Sequence, residues 1–515
     1  MVIMKNLIFI FLFILSGLLV KAQQSSVVKT NYGLVEGYTT SSKVHVFKGV
    51  PYAAPPIGEN RWKAPMPLES WKGKKVCTQY GPIAMQDKPA PFRGYTQELI
   101  PPGDAISEDC LHLNIWTNNT KKSAKKGVLV WIHGGAFMGG SNSVPIYDGE
   151  ALAQKGIVFV SINYRVNVFG FLAHSELSAE SPTKTSGNYG LLDQITALRW
   201  VKENIQNFGG DPTNITIAGQ SAGSMSVNCL VSSPLAKGLF QKAIAESGAC
   251  FTSGNPLVKT PSMQQEEQEG ANFLKKCGVS SIKELRALPS EVIVQNVKRF
   301  FAPVIDGYVL PEPIPAIVSK KKDNPIILLT GWNEHEGGKK VPPTTLKEYE
   351  ESVEKRFKEN SSKVLAAYAP ANEQDIAVKK AKLESDVIFG LQNFTWANLH
   401  AQNGRKVYLY RFAHEIKPKG DALYGAFHTA EVPFAFDNLK FFNRDWEQQD
   451  HQLSKSMSSY WVNFVKNGNP NGASLPTWQP YTGEKKMIIM FNEKPSAVAL
   501  PDASALEVLY SILKY

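Results

Sequence analysis

The segment Gly219-Gln220-Ser221-Ala222-Gly223 sets a hydroxyl between two glycines. A serine hydroxyl is a weak nucleophile at neutral pH and needs a base beside it. It also needs donors for the charge that develops on its target. Ile215 to Ala218, just before, has the apolar, β-branched character of a buried strand, and a helical pattern starts at Ala222. Strand, G-x-S-x-G and helix in that order are the context of a nucleophile elbow. The serine backbone is strained there, and the flanking glycines leave room for the chain to reverse. The turn lifts the Ser221 oxygen above the sheet and sets it at a helix N-terminus, where negative charge is stabilised.

A second glycine cluster, His133-Gly134-Gly135-Ala136-Phe137, ends the apolar run Val128 to Ile132. Glycines let backbone N–H groups approach a ligand closely. Such a loop, with the N–H of Ala222 after the nucleophile, makes an oxyanion hole. Each donor is worth ~2.7–4 kcal/mol in the transition state. In sheets that carry this elbow the chain order is serine, acid, histidine. Five of the nine histidines follow Ser221: His335, His400, His414, His428 and His451. Order alone does not choose among them. Glu334 and Glu336, after the apolar run Ile326 to Leu329, are candidate acids, and Asp306 is a third.

These residues need a scaffold that brings distant segments to one edge. Val128 to Ile132, Ile157 to Ile162, Ile215 to Ala218, Ala243 to Glu246, Ile326 to Leu329 and Val407 to Phe412 read as buried strands. Leu192 to Ile205 between them has helical spacing. The alternation predicts an α/β class with a mostly parallel central sheet and helices on both faces. Residues 260–300 and 344–400 read as mostly helical excursions covering the ligand crevice. One large domain over 23–515 is expected rather than several.

The chain has 515 residues, 43% of them hydrophobic and 20% charged, an ordinary globular balance. Its net charge of +10 is scattered. The two Lys-rich runs, 121–126 and 320–322, fall in expected loops, and no nucleic-acid motif accompanies them. Residues 1–22 have the pattern of a cleaved signal peptide: Lys5, an apolar run from Leu7 to Val20, then Val20-Lys21-Ala22. That run falls short of the ~20 residues of a membrane span, and no later segment is long and apolar enough. A secreted or periplasmic location is expected. Export permits disulfides. Five cysteines, at 77, 110, 229, 250 and 277, leave at least one unpaired within the chain.

Together the motifs resemble the type-B carboxylesterase and lipase family, of the α/β-hydrolase fold, which includes cholinesterases and bacterial nitrobenzyl esterases. Further ordered matches extend over nearly the whole mature chain. They include Phe47-Lys48-Gly49-Val50-Pro51-Tyr52-Ala53, Ser107-Glu108-Asp109-Cys110-Leu111, Asn163-Tyr164-Arg165, Gly187-Asn188-Tyr189-Gly190, Phe208-Gly209-Gly210-Asp211-Pro212 and Gly468-Asn469-Pro470. The resemblance implies a Ser221, Glu336 and His428 triad, with oxyanion donors at Gly135, Ala136 and Ala222. It implies supporting roles for Gln220 and Ser247 and a Cys77–Cys110 disulfide. A second bridge, Cys250–Cys277, would leave Cys229 free. Residues 78–109 hold no tryptophan that could bind a quaternary ammonium by cation–π contact, and a basic chain does not attract a cationic substrate, so a cholinesterase is not expected. The expected activity is hydrolysis of small carboxylic esters by a monomer or dimer, with no metal or organic cofactor, no nucleic acid and no membrane span. A lipase for long acyl chains and a non-catalytic binding protein on the same fold are the alternatives.

Overall fold

The computed structural model describes residues 24–103, 105–252 and 261–513, so the signal peptide expected at 1–22 lies outside the described residues. The strands are β1 (Gln24–Lys29), β2 (Leu34–Thr39), β3 (His45–Pro51), β4 (Lys74–Val76), β5 (His112–Thr117), β6 (Lys126–Ile132), β7 (Val158–Ile162), β8 (Gly210–Gln220), β9 (Lys242–Glu246), β10 (Ile327–Asn333), β11 (Val407–Phe412), β12 (Met487–Phe491) and β13 (Ser496–Ala499). They form one sheet in the order β1-β2-β3-β5-β7-β6-β8-β9-β10-β11-β12-β13, with β4 beside β2. From β7 to β12 every neighbouring pair is parallel. The N-terminal side, from β1 through β5 to β7, pairs antiparallel, and β13 closes the far edge antiparallel to β12.

The six apolar runs read from the sequence all lie on this sheet. The N-terminal antiparallel strands were not among the expected elements. They carry no continuous apolar signal: β1 and β2 are only partly buried, and the buried β5 sets Asn114 among Leu113, Ile115 and Trp116. Side chains along β6 alternate between two cores. Val128, Val130 and Ile132 enter one, and Leu129 and Trp131 enter the other. Both faces are therefore covered, and β7, β9 and β11 are buried throughout. The helices that matter for the site are α1 (Tyr189–Asn204), α2 (Ala222–Ser232), α3 (Met263–Lys276), α4 (Ile376–Ser385) and α5 (Leu391–Gln402). A five-residue π-helix, Asp386–Gly390, joins α4 to α5. The two expected excursions are indeed mostly helical.

Parallel register decides what meets at the carboxyl edge. Ile132 of β6 lies beside Gly219 of β8, Gln220 beside Glu246 of β9, and Glu246 beside Gly331 of β10. Two bonds carry the ladder past the strand ends: Ser221 N–H donates to the Glu246 carbonyl and Ser247 N–H to the Gly331 carbonyl, each at 2.9 Å. The glycine loop at 133–137, Ser221, Ser247 and the 334–336 loop therefore leave the sheet along one edge.

Candidate active site

Ser221 sits between β8 and α2 with φ 59° and ψ −125°, a conformation held by its surroundings rather than by its own preference. The glycines explain how it is tolerated. A Cβ on Gly219 would stand 2.4 Å from the Gly223 carbonyl carbon, and one on Gly223 would stand 2.1 Å from the Ile132 oxygen. Gly135 has φ 115°, and a Cβ there would meet the Gly139 oxygen at 2.2 Å. Ala136 and Phe137 follow at φ 55° and 59°. Among the described residues no protein acceptor takes the N–H of Gly135, Ala136 or Ala222. The Ala222 N–H is one of the unpaired donors of the first turn of α2.

Of the five downstream histidines, His428 is the one that reaches the elbow. Its Nδ1 is 2.7 Å from Glu336 Oε2. The Gln220 amide nitrogen lies 3.1 Å from its Nε2 and 3.3 Å from its Nδ1. Ser221 Oγ makes no hydrogen bond to His428 in this structure; the Gln220 amide holds the ring face instead. The other histidines are occupied elsewhere or lie apart. His400 is buried against the Ile326 carbonyl, and His414 bonds Asp450 at 2.6 Å. His335 lies at the Ala426 N–H, 3.4 Å away. His451 lies at the start of the helix Gln448–Asn467.

The carboxylates separate in the same way. Glu336 is buried; its Oε1 accepts the Asn333 N–H at 2.8 Å while Oε2 faces the imidazole. Glu334, two residues away, pairs with the buried Arg411 guanidinium, and that charge holds its carboxyl below the usual range against the burial that opposes it. Asp306 caps its own turn, accepting N–H bonds from Tyr308 at 3.1 Å and Leu310 at 2.9 Å. Beneath the Glu336–His428 pair lies a second buried carboxyl, Glu431. Its Oε2 accepts the Asn333 amide at 2.5 Å, and burial, then the charge of Glu336, push it up to about 7. Burial also raises Glu246 well above the usual carboxylate range. His133 stacks on Tyr164 with centroids 4.5 Å apart, and burial pushes it down to about 4, so it is a neutral strut of the glycine loop.

Ser247 is buried at φ 48°, but its Oγ finds no hydrogen-bond partner among the described residues. The structure therefore places it at the edge without tying its hydroxyl to Glu336 or His428. The cysteines depart from the implied pairing. Cys77 and Cys110 are both free, buried thiols. The Cys77 backbone is pinned beside β2 and β3, its N–H to the Glu36 carbonyl and its carbonyl to the Lys48 N–H. Cys110 lines a separate small pocket with Arg61, Glu108 and Arg165. Burial pushes the Cys77 thiol up to about 12. Cys250 lies beside Cys229: its N–H donates to Asn228 Oδ1 of α2 at 2.9 Å, and the neighbouring Cys250 thiol, then burial, hold the Cys229 thiol well above its ordinary value.

A cavity of about 180 Å³ opens beside Ser221, lined by Ala136, Ala222, Met225, Glu266, Arg299 and Phe389 among others. Phe389, on the π-helix, also stacks on the His428 ring, with centroids 4.4 Å apart. Glu266, Arg299 and Phe389 were missed by sequence reasoning. They lie in helical or irregular excursions whose pattern resembles any solvated amphipathic segment. A broader surface groove of about 800 Å³, by Arg405 and Lys406, lies at the amino end of β11, far from these groups along the sheet. Among the described residues no helix is long and apolar enough to cross a membrane.

Comparison with known proteins gives the family and the fold. The profile of the carboxylesterase family matches residues 24–507. The para-nitrobenzyl esterase of Bacillus subtilis is 34% identical over 508 residues, covering 94% of this chain and 98% of its own. Liver carboxylesterase 1 of Oryctolagus cuniculus is 34% identical and covers 88% of each chain. Among solved structures, a carboxylesterase of Geobacillus stearothermophilus superposes with a TM-score of 0.80 at 33% identity, over 94% of this chain and 99% of its own.

Proposed function

This chain belongs to the carboxylesterase family, has the α/β-hydrolase fold and hydrolyses carboxylic esters; we propose that it does so through an acyl-enzyme on Ser221, with His428 as base and Glu336 as its acid. His428 Nε2 takes the hydroxyl proton as Ser221 Oγ attacks the ester carbonyl carbon. Glu336 keeps the Nδ1 proton in place and stabilises the imidazolium. The N–H groups of Gly135, Ala136 and Ala222 receive the oxyanion. The imidazolium then protonates the departing alcohol. A water deprotonated by His428 attacks the acyl-enzyme, and the acid leaves as Ser221 regains its proton. The Ser221–His428 contact closes by side-chain rotation when substrate displaces the Gln220 amide. Catalytic hydrogen bonds commonly tighten only in the substrate complex.

One observation carries this reading: the Glu336–His428 bond of 2.7 Å stands against Gln220, the residue before a strained Ser221. The test is covalent labelling with a fluorophosphonate, read by peptide mass spectrometry beside nitrophenyl ester turnover. The expected result is one adduct on the Ser221 peptide. Ser221→Ala loses the adduct and about 10⁶ in turnover. An adduct elsewhere, or turnover surviving in the variant, refutes it. We also propose that residues 1–22 direct export and are removed.

A further inference from the structure

Two of the three backbone donors proposed for the oxyanion sit on the glycine loop, and that loop is held partly from outside. Its peptide bonds are trans, so each N–H points opposite to the carbonyl of the residue before it. The Gly134 carbonyl can only accept, so His133 Nδ1, 2.8 Å away, carries a proton and donates to it. That bond turns the Gly135 N–H the other way. The Gly135 carbonyl accepts the N–H groups of Met138 at 2.9 Å and Gly139 at 3.2 Å, which turns the Ala136 N–H away from them. Ala136 lines the cavity with Ser221. The positive φ angles of Ala136 and Phe137 persist only where neighbours impose them.

Gln86 is one such neighbour. It is buried, in the chain between β4 and β5, and meets both polar groups of Gly140. Its Oε1 accepts the Gly140 N–H at 2.9 Å, and its Nε2 donates to the Gly140 carbonyl at 3.0 Å. Nε2 also donates to the Ala84 carbonyl at 3.0 Å. One N–H and two carbonyls leave the amide a single orientation. The fit is close, since a Cβ on Gly139 would stand 2.6 Å from Gln86 Oε1. Asn167 fastens the same two segments. Its amide donates to the Met85 carbonyl at 2.6 Å and the Met138 carbonyl at 3.3 Å, and its N–H to the Phe137 carbonyl at 2.6 Å.

We infer that Gln86 is a positioning residue for ester hydrolysis: its amide pins the turn from Gly135 to Gly140 so that the Gly135 and Ala136 N–H groups stay free to receive the oxyanion. Gln86 acts through Gly139 and Gly140 on the Gly135 carbonyl. Loss of one oxyanion donor costs about 10²–10³ in kcat. A turn released at Gly140 points the Ala136 N–H aside for part of the time, so a loss of about ten- to a hundredfold is expected. Substrate binding changes little, because the charge those donors meet develops only in the transition state. The inference rests on the Ser221 esterase reading and adds a residue to it.

The variants are Gln86→Met, close in length but without the amide, and Gln86→Glu, which keeps an acceptor and, while ionised, lacks the donor. Gln241→Met is the control: Gln241 Oε1 accepts the Ile215 N–H at 2.9 Å, a bond of the same kind just before β9. Each full mature protein is titrated with a fluorophosphonate, and kcat for 4-nitrophenyl acetate is expressed per labelled Ser221, so misfolded protein drops out. A trifluoromethyl ketone reports the donors directly. Ser221 Oγ adds to its carbonyl carbon, the hydroxyl proton goes to His428, and the ketone oxygen becomes the anion. Both Gln86 variants are expected to lose about ten- to a hundredfold in kcat with KM within about threefold of the parent's. The ketone's inhibition constant is expected to rise by the factor by which kcat/KM falls. Gln86→Glu is expected to recover relative to the parent as pH falls and its carboxyl regains a proton to donate. Gln241→Met is expected to keep the parental kcat. Parental kcat per labelled site in both Gln86 variants overturns the inference, and so does a fall in kcat that the ketone does not follow. An equal loss in Gln241→Met overturns it too, because removal of any such amide would then suffice. Turnover surviving in Ser221→Ala would instead sink the reading beneath it.

Discussion

Glu336→Gln is expected to lower kcat by about 10³–10⁴ while leaving the fold intact, and the reason lies in two hydrogen bonds. One Glu336 oxygen accepts the Asn333 N–H at 2.8 Å and the other faces His428 Nδ1 at 2.7 Å. An amide has one oxygen for those two places. The Asn333 N–H is a buried donor that cannot change role, so the amide oxygen goes to it and the NH₂ faces the imidazole. Nδ1 must then accept, its proton moves to Nε2, and the ring can no longer take a proton from Ser221. The lost attraction can be sized. A carboxylate and an imidazolium about 4 Å apart interact by ~4 kcal/mol at an effective dielectric constant near 20. At 1.36 kcal/mol per decade that is about 10³ in rate. The wrong tautomer adds to this; the same acid-to-amide change in another serine triad costs ~10⁴. The assay is 4-nitrophenyl acetate hydrolysis beside circular-dichroism melting. Glu334→Gln is the control, since Glu334 shares the loop but pairs with Arg411, which keeps Asp502 at 2.8 Å. Its turnover is expected to stay near the parent's. Retention of more than about a tenth of the parental kcat by folded Glu336→Gln would refute the argument.

Two further predictions follow from the buried carboxyl and the N-terminal segment. Glu431 is raised from an ordinary value near 4.5 to about 7, first by burial and then by Glu336. The folded chain thus holds this proton more tightly than the unfolded chain. The associated stability is full below about 4.5 and is lost as pH rises to about 7, by a few kcal/mol. Glu431→Gln should flatten that part of the profile in urea denaturation at pH 5 and pH 7; an undiminished pH dependence would count against the buried-carboxyl argument. For export, protein recovered from an exporting host should begin at Gln23 by intact mass, and recovery of a chain still bearing residues 1–22 would reject the cleavage site.

What the sequence determined is what a few adjacent residues can determine. A strand, two crowded glycines and a helix start set the Ser221 elbow, because backbone sterics act over a handful of bonds. The continuous apolar runs of β6, β7 and β11 declared a sheet covered on both faces. The histidine proposed as base is not local. His428 reaches the site from 208 residues beyond Gln220, and nothing in its neighbours' side chains separates it from His414, which is more deeply buried and as well paired, with Asp450. Only the resemblance singled it out in the sequence, and only parallel register at one sheet edge brings it there. The thiols carry the same lesson: Cys229 and Cys250 stand together only because Cys250 docks on Asn228 of α2. Glu266, Arg299 and Phe389 became a pocket solely through tertiary packing of excursions against Ser221. A side chain's local periodicity records which face is buried, but not which distant group will stand opposite it.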